Sequence, residues 1–303
     1  MGQAGIVKKI VVVLCLVAAG VYFVGYRSVH VIAHDHTQHA IAVAQVAKVN
    51  KANQLEAQLE AAWKKTLTAN PPDGDVDIAV YDSGTGATAH YTNTTSGYTF
   101  NTASIIKMSI LEDTLWQDQQ QGTPGLTSSQ LSEAVPMIEN SDNDAATAMW
   151  NALGGQSSVQ AFLQKIGATG STANVEWGLT QTTALDQLKV VNEVAYPGKL
   201  LTVASANQAD SLLNNVEADQ HWGVSGGVPA GVTVQLKNGW LADAGNTSTD
   251  GWNINSIGHV HGDGVDYTIA VLTDNNDTEQ DGINTIQALS TDTWNTVSAA
   301  QKS

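Results

Sequence analysis

Cysteine is almost absent from this chain. Cys15 is the sole one in 303 residues, so neither a disulfide nor a thiolate metal site can form within it. Arginine is equally scarce, Arg27 being its single occurrence. Acidic side chains outnumber basic ones by 29 to 13, giving a formal net charge of −16. Such a chain has no clustered Lys/Arg footprint and is not expected to bind nucleic acid. Aromatic residues are few, and tryptophan supplies more of them than phenylalanine does. No internal repeat is visible. What is present is apolar material: 42% of residues are hydrophobic, enough for a sizeable core in one or two domains.

The N-terminal segment, Met1 to Tyr26, reads as a membrane anchor. Lys8 and Lys9 precede an uncharged run from Ile10 to Tyr26, at the short end for a spanning helix. A cleaved signal peptide is the alternative, with Ala18-Ala19-Gly20 as its small-residue cluster. The apolar run continues through Val21-Tyr22-Phe23-Val24, however, which favours an uncleaved anchor. Leu14 before Cys15 does not fit a lipid-attachment signal. The lysines ahead of the span place the N-terminus in the cytoplasm and the remainder outside, as a single-pass protein of the cell membrane. Residues 27–70 read as a stalk, helical from Ile41 to Trp63, where Ala and Gln abound and Pro and Gly are missing. Its histidines (His30, His34, His36, His39) fit a polar juxtamembrane segment better than a metal site. Asn70-Pro71-Pro72-Asp73-Gly74 breaks the helix and opens a domain over residues 71–303.

That domain patterns as α+β. Val76 to Tyr81 alternates, turns at Asp82-Ser83-Gly84-Thr85-Gly86 and returns through Ala89-His90-Tyr91, a hairpin. An amphipathic helix is expected from Ser104 toward Leu115. Thr127-Ser128-Ser129-Gln130 is a capping box that opens a helical stretch toward Ser141. Further helices are expected over Asp144–Leu153, Ser158–Ile166 and Thr182–Tyr196, stopped by Gly154-Gly155, Gly167 and Pro197-Gly198, and another within Ser205–Val216. Strands follow at Val232–Leu236, Trp252–Val260 and Tyr267–Thr273, and a helix at about Gln280–Ala299 closes the chain. Two strands, a block of helices, then three strands and a helix imply an antiparallel sheet built from both ends of the domain, with a helical lobe beside it. A cleft between two such lobes is a natural ligand site.

Three short motifs carry chemistry. In Thr102-Ala103-Ser104-Ile105-Ile106-Lys107-Met108, a spacing of three sets Ser104 and Lys107 on neighbouring positions of a helix. A buried lysine loses proton affinity, so its amine can act as base to that hydroxyl. Ser141-Asp142-Asn143 lies at the break between two helical stretches, where a loop can point a second hydroxyl and an amide into a cleft. Lys237-Asn238-Gly239 is expected to end a strand, with Gly239 permitting close approach to the backbone. Singly, each triplet is also ordinary capping or turn chemistry. In this order and after a hairpin, coincidence is hard to sustain.

The set resembles the S-x-x-K, S-D-N and K-T-G motifs of class A β-lactamases and penicillin-binding proteins. The resemblance covers about Asp75 to Ala299; two motifs match as written and the third is K-N-G. It implies Ser104 as the acyl-accepting nucleophile, Lys107 as the group that helps take its proton, and Ser141 as the proton relay to the leaving nitrogen. It implies Asn143, Lys237, Asn238, Gly239 and Trp240 as substrate-binding, with the backbone N–H groups of Ser104 and Trp240 as oxyanion hole. Departures accompany it: Asn238 replaces a threonine, the domain has no arginine, and Ser141 follows Ser104 closely, so the hold on anionic substrates is expected to be weak and the helical lobe trimmed. Glu176, in Glu176-Trp177-Gly178-Leu179-Thr180, stands where an E-x-x-L-N loop would place a deacylation base, or is a surface carboxylate of a shortened loop.

No cofactor and no metal is expected. His259 and His261 read as a surface pair on one face of a strand, and Asp274-Asn275-Asn276-Asp277 as a turn rather than a calcium loop. The expected function is therefore that of an extracytoplasmic serine hydrolase opening β-lactam amides through a Ser104 acyl-enzyme. The alternatives are a D,D-peptidase acting on cell-wall peptides, or a wall-facing binding module without turnover. The expected partners are a small-molecule β-lactam or wall peptide, and the membrane through the N-terminal helix.

Overall fold

The computed structural model describes residues 43–122, 125–242 and 251–302. The expected anchor and the four-histidine stretch lie outside these residues. Among the described residues no helix is long and apolar enough to cross a membrane.

Helix α1 is described over residues 43–69. Its side chains Leu55, Leu59 and Trp63 recur at a helical spacing of four, which lines them on one face. All three are buried, and the Trp63 indole N–H donates to Thr293 Oγ1 at 3.0 Å. The packed unit accordingly begins at Lys51 rather than at residue 71, because this stripe needs apolar cover and the sheet supplies it. The latter part of the expected stalk is thus a docked helix.

Strands β1 (Asp75–Asp82) and β2 (Thr88–Thr92) form the expected hairpin. Late in the chain come β5 (Thr233–Ala242), β6 (Trp252–Gly262) and β7 (Val265–Asn276). These five make one sheet in the order β2-β1-β7-β6-β5, with antiparallel pairing throughout. The sheet is therefore built from both ends of the domain, with β7 at its centre. Asp274 to Asn276 continue β7 instead of turning, since they remain paired with β1 and β6. A short pair, β3 (Phe100–Asn101) with β4 (Gln181–Thr182), lies apart from it.

Alternation along the strands assigns side chains to two cores. Val76, Ile78 and Val80 of β1, with Tyr267, Ile269 and Val271 of β7, face α1 and the closing helix α8 (Glu279–Gln301). Ala79, Ile257, Ala270 and Leu272 face the other way, into a core shared with the helical lobe. That lobe comprises α2 (Ile106–Gln120), α3 (Ser128–Glu139), α4 (Asn143–Leu153), α5 (Gln156–Ile166), α6 (Ala184–Ala195) and α7 (Val203–Leu213). The capping box at Thr127 and Gln130 forms as read, and left-handed Gly154 and Gly167 stop α4 and α5.

One helix departs from its expected character. α2 is buried nearly all round, Lys107, Ser109, Glu112 and Asp113 included, because it runs through the middle of the lobe and not along its surface. Neither Glu112 carboxylate oxygen has a hydrogen-bond partner. Desolvation, then the nearby Glu193 carboxyl, hold the Glu112 pKa well above the usual carboxylate range.

Two outcomes follow. Trp63→Ala should cost about 3–5 kcal/mol of folding stability, read as a lowered urea midpoint, since it vacates a fully buried site. Glu112 also imposes a pH dependence. Its folded pKa is raised, so above the unfolded value the unfolded chain ionises first and stability falls as pH climbs. Glu112→Gln should stabilise the protein, by more at pH 8 than at pH 5, in the same denaturation measurement.

Candidate active site

The segment leading into α2 carries the first of the expected site residues. Ala103–Ile105 form a single 3-10 turn, and Ala103 has φ +46°, a left-handed conformation that costs energy for a residue with a Cβ. Asn255 of β6 holds this entry in place: its Nδ2 donates to the carbonyls of Asn101 at 2.8 Å and Thr102 at 3.0 Å. Ser104 emerges partly exposed, with Lys107 fully buried one turn on.

The second element is the loop between α3 and α4. Ser141 also has positive φ, +58°, and Asp142 caps α4 by accepting from the Ala145 N–H at 2.8 Å. This left-handed kink aims both the carbonyl and the hydroxyl of Ser141 at Lys107. The Lys107 Nζ lies 3.0 Å from Ser104 Oγ, 2.6 Å from Ser141 O, 3.2 Å from Ser141 Oγ and 2.8 Å from Asn143 Oδ1. All four are oxygens of neutral groups.

The third element is β5. The triplet Lys237-Asn238-Gly239 lies in the middle of that strand and not at its end, because pairing with β6 continues to Ala242. Lys237 is fully buried and donates to Ser141 Oγ at 2.9 Å and to the Asn238 carbonyl at 3.1 Å. A Cβ built on Gly239 would sit 2.7 Å from Ser104 N and 2.8 Å from Ile105 N, so only glycine lets this strand press against the nucleophile's backbone. Asn238 requires a correction. Its side chain projects from the opposite strand face to Lys237 and Gly239, is fully buried, donates to Gln220 O at 2.7 Å and accepts from Ser256 Oγ at 2.6 Å. It braces the segment before β5 and does not reach the cleft.

The electrostatics follow from this packing. Among the described residues neither lysine has a carboxylate within ion-pair distance. Burial disfavours the ammonium form and brings the Lys107 pKa down to about 8, against the pull of Asp142. Lys237 is pushed well below its ordinary value, by burial first and by Lys107 second. Hydroxyl, amine, hydroxyl and amine thus form one hydrogen-bonded chain from Ser104 to Lys237.

The cleft encloses about 330 Å³ and is lined by Ser104, Asn143, Glu176, Trp177, Trp240 and neighbouring backbone. Glu176 is exposed on this wall, ahead of the single turn Trp177–Leu179. Sequence reasoning gave Trp177 no role, although it adjoins Glu176. Its ring stands 5.0 Å from Lys107 Nζ and its N–H donates to Thr147 Oγ1 at 3.3 Å. Asn255 was missed too, since a lone asparagine in a strand carries no motif.

The histidine pair stacks on one strand face, ring centroids 4.7 Å apart. His259 is not a surface group: it is largely buried, its Nε2 lies 2.9 Å from Asp266 Oδ1, and burial lowers its pKa. Among the described residues no cluster of His, Cys, Asp and Glu could hold a metal ion.

A five-stranded antiparallel sheet with helices on one face and a helical lobe on the other is the β-lactamase-like architecture, a serine-hydrolase-type fold. The model of the beta-lactamase enzyme family matches residues 112–297, and the chain belongs to that family. Among solved structures, a class A β-lactamase from Bacteroides cellulosilyticus aligns with TM-score 0.67 at 17% identity, over 81% of this chain and 99% of that one. A β-lactamase from Xanthomonas campestris gives 0.63 at 16%, over 78% and 97%. A class A enzyme from Mycobacterium abscessus gives 0.62 at 18%, also over 78% and 97%. At such identities the likeness is one of fold. No curated protein matches the chain in sequence.

The tight contact at Gly239 makes a direct prediction. Gly239→Ala forces either β5 or the Ser104 turn to move, costing about 1–3 kcal/mol of stability in a urea titration.

Proposed function

We propose that this chain is an extracytoplasmic serine hydrolase that opens β-lactam amides through a Ser104 acyl-enzyme. The observation that carries the reading is the hydrogen-bonded chain Ser104–Lys107–Ser141–Lys237, with an amine of lowered pKa 3.0 Å from a partly exposed hydroxyl. Family membership supports the reaction class.

In this mechanism the neutral Lys107 amine takes the Ser104 proton as Oγ attacks the carbonyl carbon. The backbone N–H groups of Ser104 and Trp240 receive the developing oxyanion. The C–N bond breaks as the departing nitrogen gains a proton from Ser141 Oγ, which is replenished through the lysines beside it. Asn143, at the cleft wall, positions the substrate amide. Lys237 acts on Ser141, keeping its hydroxyl oriented. Water then hydrolyses the ester and restores Ser104. The N-terminal segment would tether the domain to the outer face of the cell membrane.

A D,D-peptidase acting on wall peptides is the second reading, and one observation favours it. The oxygens around Lys107 are all neutral, so no carboxylate is held against it to activate a deacylating water. Glu176 faces the cleft from an exposed position and is the group that would have to do so. An acyl-enzyme that persists would mark the peptidase. A binding module without turnover would give no adduct.

Intact-mass spectrometry of the full chain in detergent with a penicillin tests all three. Wild type should gain the mass of one lactam and Ser104→Ala none; an adduct that clears as product accumulates is a β-lactamase, and one that stays is a peptidase. Below pH 8 the neutral fraction of Lys107 shrinks about tenfold per pH unit. The adduct should therefore form about ten times more slowly at pH 6 than at pH 7, and its rate should level off above pH 8.

A further inference from the structure

The walls of the cleft are aromatic, and its cations are out of reach. Trp177 and Trp240 both line it beside Ser104. Trp177 is held by Thr147. Trp240 is braced from behind by Trp222, edge to face at 6.0 Å between ring centroids, and still leaves 37% of its own surface exposed. Exposed indole of this kind is a contact surface for flat apolar groups.

The charged groups are arranged the other way. Lys107 and Lys237 are fully buried, and the donors of Lys237 are directed at Ser141 Oγ and the Asn238 carbonyl. Asn238, the neutral donor nearest in sequence, faces the opposite side of the sheet. No lysine or arginine occurs between Lys107 and Lys165, or between Lys237 and Lys302, the stretches that supply Asn143, Trp240 and Leu241 to the cleft. The stretch that supplies Glu176 and Trp177, between Lys165 and Lys189, has none either. Among the described residues that line the cleft, the exposed charge is the Glu176 carboxylate. A substrate carboxylate entering here loses water, meets no lysine or arginine among the described lining residues and approaches a like charge.

We infer that the cleft favours acyl donors that carry an aryl group and no carboxylate: the aryl group lies between Trp177 and Trp240, and Glu176 slows the approach of anions. This rests on Ser104 being the nucleophile, as proposed above. The chemistry is the same acyl transfer; what the inference adds is a preference within it, for neutral aryl amides and esters over their anionic counterparts.

The test uses a matched pair, benzylpenicillin and its methyl ester, which differ only in that carboxylate. Each is mixed with the full chain in detergent, and the Ser104 adduct is timed by intact mass. An alkyl fluorophosphonate, which needs the nucleophile but neither subsite, is run in parallel. The methyl ester should acylate Ser104 about tenfold or more faster than the free acid. Glu176→Gln should narrow that ratio by speeding the acid, whereas Trp240→Ala should slow both lactams. Equal rates, or a faster acid, overturn the inference while the nucleophile assignment stands. Fluorophosphonate labelling with no adduct from either lactam also overturns it. No labelling of Ser104 by any of the three reagents removes the catalytic reading itself, and the inference with it.

Discussion

Two amines buried beside two hydroxyls are the constraint on which the rest of this structure turns. An ammonium ion taken out of water needs either a carboxylate or a loss of its proton. Lys107 and Lys237 have no carboxylate within ion-pair reach among the described residues; burial lowers the proton affinity of both, and Lys107 lowers that of Lys237 further. Their partners are neutral oxygens: hydroxyls, an amide and two backbone carbonyls. With its pKa at about 8, the Lys107 amine can stand neutral beside the Ser104 hydroxyl, as a base to a serine nucleophile must.

Maintaining that arrangement demands strain and close contact around it. Ala103 and Ser141, neighbours or members of the hydroxyl pair, both sit in the left-handed region. Asn255 ties down the carbonyls just before the nucleophile, and Gly239 brings β5 within contact of its backbone N–H. The lobe, the sheet and the α3–α4 loop each contribute one edge of the site. Its geometry thus depends on the packing of both cores, including the one closed by α1 through Leu55, Leu59 and Trp63.

The family fold accommodates departures at its periphery more readily than at this centre. Ser104, Lys107, Ser141, Asn143 and Lys237 converge within hydrogen-bonding distance. Around them, arginine is missing from the domain, Asn238 has turned to internal bracing, and tryptophans line the entrance. Buried groups are bound by one another's hydrogen bonds; wall residues answer only to what enters the cleft.

Much of the secondary structure was legible in the residues themselves. The β1–β2 hairpin, the capping box at Thr127 and the glycine stops after Leu153 and Ile166 are set by local sterics and hydrogen bonds, so neighbours in sequence suffice to place them. The i, i+3 spacing likewise put Ser104 and Lys107 together before any fold was known. That Asn238 faces away from Lys237 and Gly239 follows from the triplet lying inside a paired strand rather than at its end, which the pairing with β6 decides. Other features depend on segments far apart in the chain. That α2 is a central helix follows from elements packing on all its sides, and that residues 51–69 are docked follows from the sheet face formed largely by strands near the other end. The Asn255 anchor, the Trp177 wall and the unpaired state of both lysines are likewise long-range facts. The sequence by itself determined which groups could do chemistry and which helices and turns present them; only the tertiary structure decided which of those groups meet, because burial and contact across dozens of residues are properties of the packed chain.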